Sequence, residues 1–186
     1  FVSYNTKNGL SSNLVFCFLK SKFRNIIWIG TEGPGLSYYS YKDGKVKTLS
    51  GNIVDQIGRV HSICEINDST LWIATAGYGL LEVVLEDNKA EPFIRSVDQY
   101  VLKKGNKVCN EFHSMSYDGN STLYVGSRGG YGVAKFNIRD KQYEFVQMEN
   151  AENSAIGDVL SVYRSKDSTY YIGASSGLTR LRFPED

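Results

Sequence analysis

The sequence predicts an all-β chain of four repeated, four-stranded antiparallel sheets, the blades of a β-propeller, and three observations carry that prediction. Four segments match one another: IIWIGTEGPGL (26–36), TLWIATAGYGL (70–80), TLYVGSRGGYGV (122–133) and YYIGASSGL (170–178). The leading aromatic recurs at Trp28, Trp72, Tyr124 and Tyr171, at intervals of 44, 52 and 47 residues, the spacing of a propeller blade with four short strands. Thirteen Tyr, nine Phe and two Trp stand beside 18 Gly and only three Pro, a composition suited to strands separated by glycine turns. No stretch carries the apolar period of a helix.

The elements follow in order along each repeat. A first apolar run (14–18, 60–66, 112–117, 159–163) is closed by a polar turn such as Asn67-Asp68-Ser69 or Asp118-Gly119-Asn120, residues that favour tight turns. The aromatic-led run is second. Its aromatic precedes a β-branched residue (Ile29, Ile73, Val125, Ile172) and then a small one (Gly30, Ala74, Gly126, Gly173), which predicts close approach of a neighbouring sheet at that point. A glycine at 35, 79, 132 or 177 then starts a third run (36–41, 80–85, 133–138, 178–183), and a fourth follows at 46–49, 93–97 and 143–148. The blades so drawn span about 10–50, 56–98, 108–149 and 155–186, and residues 1–6 read as an outer strand of a neighbouring or closing blade. An open arc of blades leaves two apolar faces in water at about 25 cal/mol per Å². The expectation is therefore a partial propeller whose remaining blades lie outside these residues.

The bulk numbers bound the function. A hydrophobic fraction of 41% and a charged fraction of 22% are ordinary for a globular protein. A net charge of +1 offers no electrostatic case for a nucleic acid or an anionic membrane surface. No apolar run approaches the roughly 18 to 20 residues that span a bilayer. Cys17, Cys64 and Cys109 are widely spaced and odd in number, forming neither a disulfide framework nor a metal pattern, and no cofactor motif is present.

Within the repeats, LSSNLVFCF (10–18) with IIWIGT and GPGLSYYS, and LWIAT with GYGLLEV, resemble the two-component regulator propeller repeat. The likeness extends over essentially the whole chain. The last two repeats depart from the pattern, with Tyr124 and Tyr171 in place of Trp, and Gly126-Ser127 and Gly173-Ala174 in place of Gly-Thr. The resemblance implies the periplasmic sensor region of a Bacteroides-type hybrid two-component system. In such systems seven-bladed propellers and a β-sandwich precede a membrane helix and a histidine kinase. It further implies an oligosaccharide ligand, an output in transcription, and partners in the remaining blades and domains of the receptor and in a homodimer. None of the kinase is contained in these residues, so no enzymatic activity is expected of them. Two other readings stay open: a protein-interaction scaffold, and a propeller hydrolase or lyase, for which the expected His and carboxylate cluster is missing.

Propellers commonly bind ligands at the end of the blades that carries the turns between second and third strands and the starts of the first strands. Those turns fall at 32–34, 76–78, 128–131 and 175–176, and the strand starts at Asn13, Arg59, Glu111 and Asp158. Sugars need aromatic platforms for ring faces and bidentate polar groups for hydroxyls. Arg59, Tyr78, Glu111, Arg128 and Tyr131 are of that kind and are expected to converge on one face, the plainer reading being solvated loop residues. His61 and His113 share one slot of the repeat, aligned with Val15 and Leu160, and lack the further ligands that zinc requires. Gly173-Ala174-Ser175-Ser176-Gly177 fits the G-x-S-x-G pattern, but both histidines precede Ser175, so it reads as a repeat turn. No catalytic residue and no metal site is assigned.

Overall fold

Each aromatic-led segment forms the second strand of an antiparallel meander. The structure is a computed structural model that describes residues 1–49, 53–87, 90–146 and 156–182. It divides into two units, Phe1–Tyr100 and Val101–Asp186. Helix among the described residues is confined to two short 3-10 turns, Thr6–Asn8 and Val54–Gln56. The fold is all-β and its sheets are β-propeller blades.

The first unit holds two four-stranded sheets. One runs β1 (Val15–Lys20), β2 (Ile26–Thr31), β3 (Ser37–Ser40), β4 (Lys45–Thr48); the other runs β5 (Val60–Glu65), β6 (Thr70–Thr75), β7 (Leu80–Leu85), β8 (Ile94–Tyr100). Trp28, Leu36 and Tyr38 of the first share an apolar cluster with Val60, Ile63 and Ile73 of the second. Strand β5 packs on both β1 and β2. A Cβ at Gly30 would lie 2.6 Å from the Val60 carbonyl oxygen and 2.7 Å from its Cγ1, so the small residue of the repeat is where the next blade's first strand comes closest. Glu65 locks the same seam. Buried at the end of β5, its carboxylate accepts hydrogen bonds from Ser21 Oγ (2.6 Å), the Lys22 amide (2.7 Å) and Trp28 Nε1 (3.1 Å).

The second unit opens with a hairpin, β9 (Leu102–Lys104) and β10 (Lys107–Cys109). A four-stranded sheet follows: β11 (Phe112–Tyr117), β12 (Thr122–Ser127), β13 (Val133–Asn137), β14 (Tyr143–Phe145). The last sheet has three described strands, β15 (Val159–Arg164), β16 (Thr169–Ala174) and β17 (Gly177–Arg182). The packing rule repeats. A Cβ at Gly126 would sit 2.6 Å from Val159 Cγ1, and the Val162 amide donates to Ser114 Oγ at 2.9 Å.

Several features differ from expectation. Residues 1–5 form no strand, and a 3-10 turn begins at Thr6. Asn5 caps that turn, its side chain accepting from the Lys7 amide at 2.9 Å, while the Asn8 side chain accepts from the Asn5 amide. This local bonding competes with a strand ladder. The segment instead lies on the first sheet, with Tyr4 edge-on to Tyr39 and its hydroxyl donating to the Gly44 carbonyl at 3.0 Å. The fourth strand of the second sheet runs on to Tyr100. Residues 147, 148 and 183, assigned to strands from sequence, lie outside the described residues.

A bulge interrupts the pairing of first and second strands at the same place in all four sheets: after Val15, Val60, Phe112 and Val159. The slot shared by His61 and His113 is therefore held by Phe16 and Leu160, and Val15 is displaced from it by one residue. A bulge turns its extra side chain away from the regular pleat. In the first unit this stacks Phe16 on His61, with ring centres 4.2 Å apart and planes 20° from parallel.

Candidate functional site

One main-chain hydrogen bond recurs in each of the four blades and positions the candidate residues. The residue after the second strand donates to the residue before the first: Glu32 to Leu14 (3.0 Å), Ala76 to Arg59 (3.1 Å), Arg128 to Glu111 (3.0 Å) and Ser175 to Asp158 (2.9 Å). Strand starts and second-to-third-strand turns are thereby held together in each blade. The first repeat contributes Leu14 to this series. Asn13 is instead a side-chain acceptor for the Thr6 amide.

In the second unit three candidates, Glu111, Arg128 and Tyr131, line one cleft of about 520 Å³, joined by Asp158, Asn110 and Cys109. That volume is in the range of small-ligand sites. The Arg128–Tyr131 turn runs through Gly129 and Gly130, at φ 85° and 75°, a left-handed path open to glycine at no steric cost. Asp158 fixes this turn from the next blade. Its Oδ1 accepts the Gly129 amide at 2.7 Å, and its Oδ2 lies 3.5 Å from Arg128 Nε. Glu111 Oε2 approaches Arg128 Nη1 at 3.7 Å from the other side. Such exposed pairs add little stability; their consequence is the position of the guanidinium. Tyr131 presents its ring over Gly129 and leans on Phe145 at 6.2 Å between centroids. Lys104 donates to the Tyr131 carbonyl at 3.3 Å and sits 5.6 Å above the Phe145 ring.

The ionisable groups are tuned accordingly. Burial, and then the Arg128 charge, push His113 below the usual imidazole range, against the opposing pull of Glu111 and Asp158. Burial pushes the Cys109 thiol up to about 11, so it is a protonated, unreactive group at neutral pH. The cleft can therefore donate and accept hydrogen bonds through a guanidinium, two carboxylates and a side-chain amide, beside one aromatic ring.

Arg59 and Tyr78 belong to the first unit, at the equivalent turn. Arg59 is exposed and takes a positive φ of 47°, uncommon for a residue with a side chain. Tyr78 packs its ring against Gly58, donates its amide to Thr75 Oγ1 at 3.1 Å, and accepts Gln99 Nε2 on its carbonyl at 2.8 Å. Sequence reasoning misses two contributors to the cleft. Asp158 reads from sequence only as a strand start, although it clamps the turn of the adjacent blade. The β9–β10 hairpin, which brings Cys109, has a legible signal in the two-residue Gly105-Asn106 turn between Lys-flanked strands.

Ser175 lies in a strand-to-strand turn, where its Oγ accepts from the Asp158 amide at 3.0 Å, so the G-x-S-x-G match has no nucleophile-elbow geometry. Among the described residues no three His, Cys, Asp or Glu side chains are grouped to hold a metal ion. No helix there is long and apolar enough to cross a membrane.

Repeated antiparallel meanders, packed in pairs within each unit and with a cleft at the turn end of the second unit's pair, define a β-propeller protein. No family profile and no curated protein matches the chain in sequence. Its structure is similar to the extracellular domain of the hybrid two-component system BT3049 from B. thetaiotaomicron, with a TM-score of 0.71 and 21% identity over 96% of this chain and 22% of that one. It is similar also to the extracellular domain of the hybrid two-component system BT4673 from the same organism, with a TM-score of 0.62 and 20% identity over 94% and 21% of the two chains. The WD40 propeller domain of Doa1 matches at a TM-score of 0.61 and 13% identity, over 89% and 49%. At these identities the likeness is one of fold. The chain spans about a fifth of the length of the two ectodomain structures.

Proposed function

We propose that these blades belong to the periplasmic, ligand-sensing propeller of a hybrid two-component histidine kinase, and that the second unit's cleft binds an oligosaccharide. The observation that carries the reading is the grouping of Glu111, Arg128 and Tyr131 with Asp158 around one cavity. An aromatic face beside fixed bidentate groups is the chemistry a pyranose ring and its hydroxyls require. The repeat motifs and the shared fold with two-component ectodomains support the receptor context. In that context the partners are the remaining blades and domains and a second protomer, and the output is transcription. Bound sugar shifts the receptor only through unequal affinity for its two arrangements. Arg59 and Tyr78 are proposed as contacts of the same kind in the first unit.

The test is a glycan array followed by calorimetry on the intact ectodomain, with Arg128→Ala and Tyr131→Ala as variants. Each substitution is expected to weaken binding at least about tenfold, the loss of roughly one good polar or stacking contact. A bound glycan whose affinity neither variant changes places the sugar site elsewhere. Absence of any glycan binding favours the scaffold reading.

A further inference from the structure

The ligand class follows from the charges around Arg128. Among the described residues lining the cleft its guanidinium is the one cation, and Glu111 and Asp158 are the two anions. Both carboxylates face it, at 3.7 Å from Nη1 and 3.5 Å from Nε. Lys104, at the rim, is turned to the Tyr131 carbonyl and the Phe145 ring. Counting Lys104, two positive groups stand against two negative ones among the described residues, and without it that described lining is net negative. Opposite charges this close compensate one another, and a further anion entering beside Arg128 meets two carboxylates. Glu111 also offers an acceptor to a hydroxyl proton.

We propose that this cleft selects an uncharged, hydroxyl-rich ligand and rejects carboxylated or sulfated ones, with Glu111 and Asp158 as the specificity-determining residues. The proposal deepens the oligosaccharide reading and rests on it for the identity of the natural ligand. The two carboxylates act as a counter-charge: they hold the guanidinium in a geometry useful for hydroxyls and cancel its attraction for anions. Discrimination against the wrong partner is then built from a repulsive element as well as an attractive one.

The experiment has two arms on the same full-length ectodomain. In the first, inorganic sulfate is titrated at low ionic strength while the Arg128 Nε–H and Gly129 amide signals are followed by NMR. The wild type is expected to show no saturable shift. The double variant Glu111→Gln, Asp158→Asn keeps an acceptor oxygen for the Gly129 amide, and is expected to bind sulfate at least about tenfold more tightly. Saturable sulfate binding at Arg128 in the wild type, or no gain in the double variant with its Gly129 amide signal otherwise unchanged, overturns the charge argument. In the second arm, neutral malto-, xylo- and galacto-oligosaccharides are compared with oligogalacturonates and sulfated disaccharides. Tighter binding of the anionic set, lost in Arg128→Ala, overturns the selectivity. Failure of every glycan to bind overturns the oligosaccharide reading alone, because the sulfate arm still decides the charge argument.

Discussion

Replacing Glu65 should loosen the seam between the first two blades, and the size of the effect can be worked from its partners. The carboxylate is the acceptor for Ser21 Oγ, the Lys22 amide and Trp28 Nε1. In Glu65→Ala the Lys22 amide, on an exposed residue, returns to water. Ser21 and Trp28 are buried, and each donor left without an acceptor costs about 1–3 kcal/mol. The expected loss is about 3 kcal/mol, a large share of the roughly 5–15 kcal/mol that holds a typical domain. With a urea dependence of about 1.5 kcal/mol per M, the midpoint falls by about 2 M. Glu65→Gln keeps one acceptor oxygen but turns an NH2 toward a donor, so about half that shift is expected. Fluorescence is the assay, because both tryptophans of the chain, Trp28 and Trp72, lie in the first unit and report on it selectively. Asp68→Ala is the control. Arg24 reaches the Asp68 main-chain carbonyl, at 3.2 and 2.8 Å, so losing that side chain should leave the midpoint unchanged. A shift below about 0.5 M for Glu65→Ala would refute the claim that its hydrogen bonds hold the seam.

Three further outcomes are expected. Gly126→Ala places a methyl 2.6 Å from Val159 Cγ1 and should destabilise the second unit by about 1–3 kcal/mol, read by amide exchange of β12 and β15. His113 is held below its usual pKa of 6.5 in the folded chain, so it favours the neutral form there. The unfolded chain then takes up a proton first as pH falls, and stability conferred above pH 6.5 is lost on acidification through that value toward the folded pKa. Melting of the second unit at pH 7.5 and 5.5, followed by tyrosine signals, should show this loss, reduced in His113→Gln. Burial lifts both Cys17 and Cys109 to about 11. At pH 8 their thiolate fraction, and with it their rate of alkylation in the native protein, should be about a hundredfold below that of a free thiol, measured by mass spectrometry.

The packing of the fold is legible because each repeat states it again. Trp28, Trp72, Tyr124 and Tyr171 are all second-strand residues, and the small residue two places on is where Val60 meets Gly30 and Val159 meets Gly126. These are contacts between large and absent side chains, and residue size is written in the sequence. The bulges are not legible. They insert one residue into a run that keeps its apolar character, so apolar pattern alone aligns the His61 slot with Val15, whereas the register puts Phe16 there. Residues 1–5 mislead for a related reason: Phe-Val-Ser-Tyr has the composition of a strand, and the deciding signal is the Asn5 to Asn8 capping chemistry just beyond it. The β9–β10 hairpin accounts for the longest interval between aromatics, 52 residues, so the lengthened repeat is itself the mark of the insertion.

The site is less legible than the fold because of how the repeat ties its turns. The recurring link between strand start and turn is main chain to main chain, and its acceptors are Leu14, Arg59, Glu111 and Asp158. One aliphatic, one cation and two anions occupy the same structural role, so the link places no demand on the side chain there. Nothing in the packing then ties these side chains to the repeat pattern, and a search for repeats passes over them. What distinguishes the second unit is a coincidence that pairwise spacing does not encode: two adjacent blades both place a carboxylate at that position, and the turn of the first sends an arginine between them. Exchanging the two outcomes is a direct check on this logic. Glu111→Leu gives the second unit's strand start the residue found at position 14, and should leave its melting temperature within about 2 °C, the scale of an ordinary surface change, while altering ligand choice in the cleft. A cooperative loss of folding in Glu111→Leu would mean that the side chain, and not the main-chain link alone, is part of the scaffold.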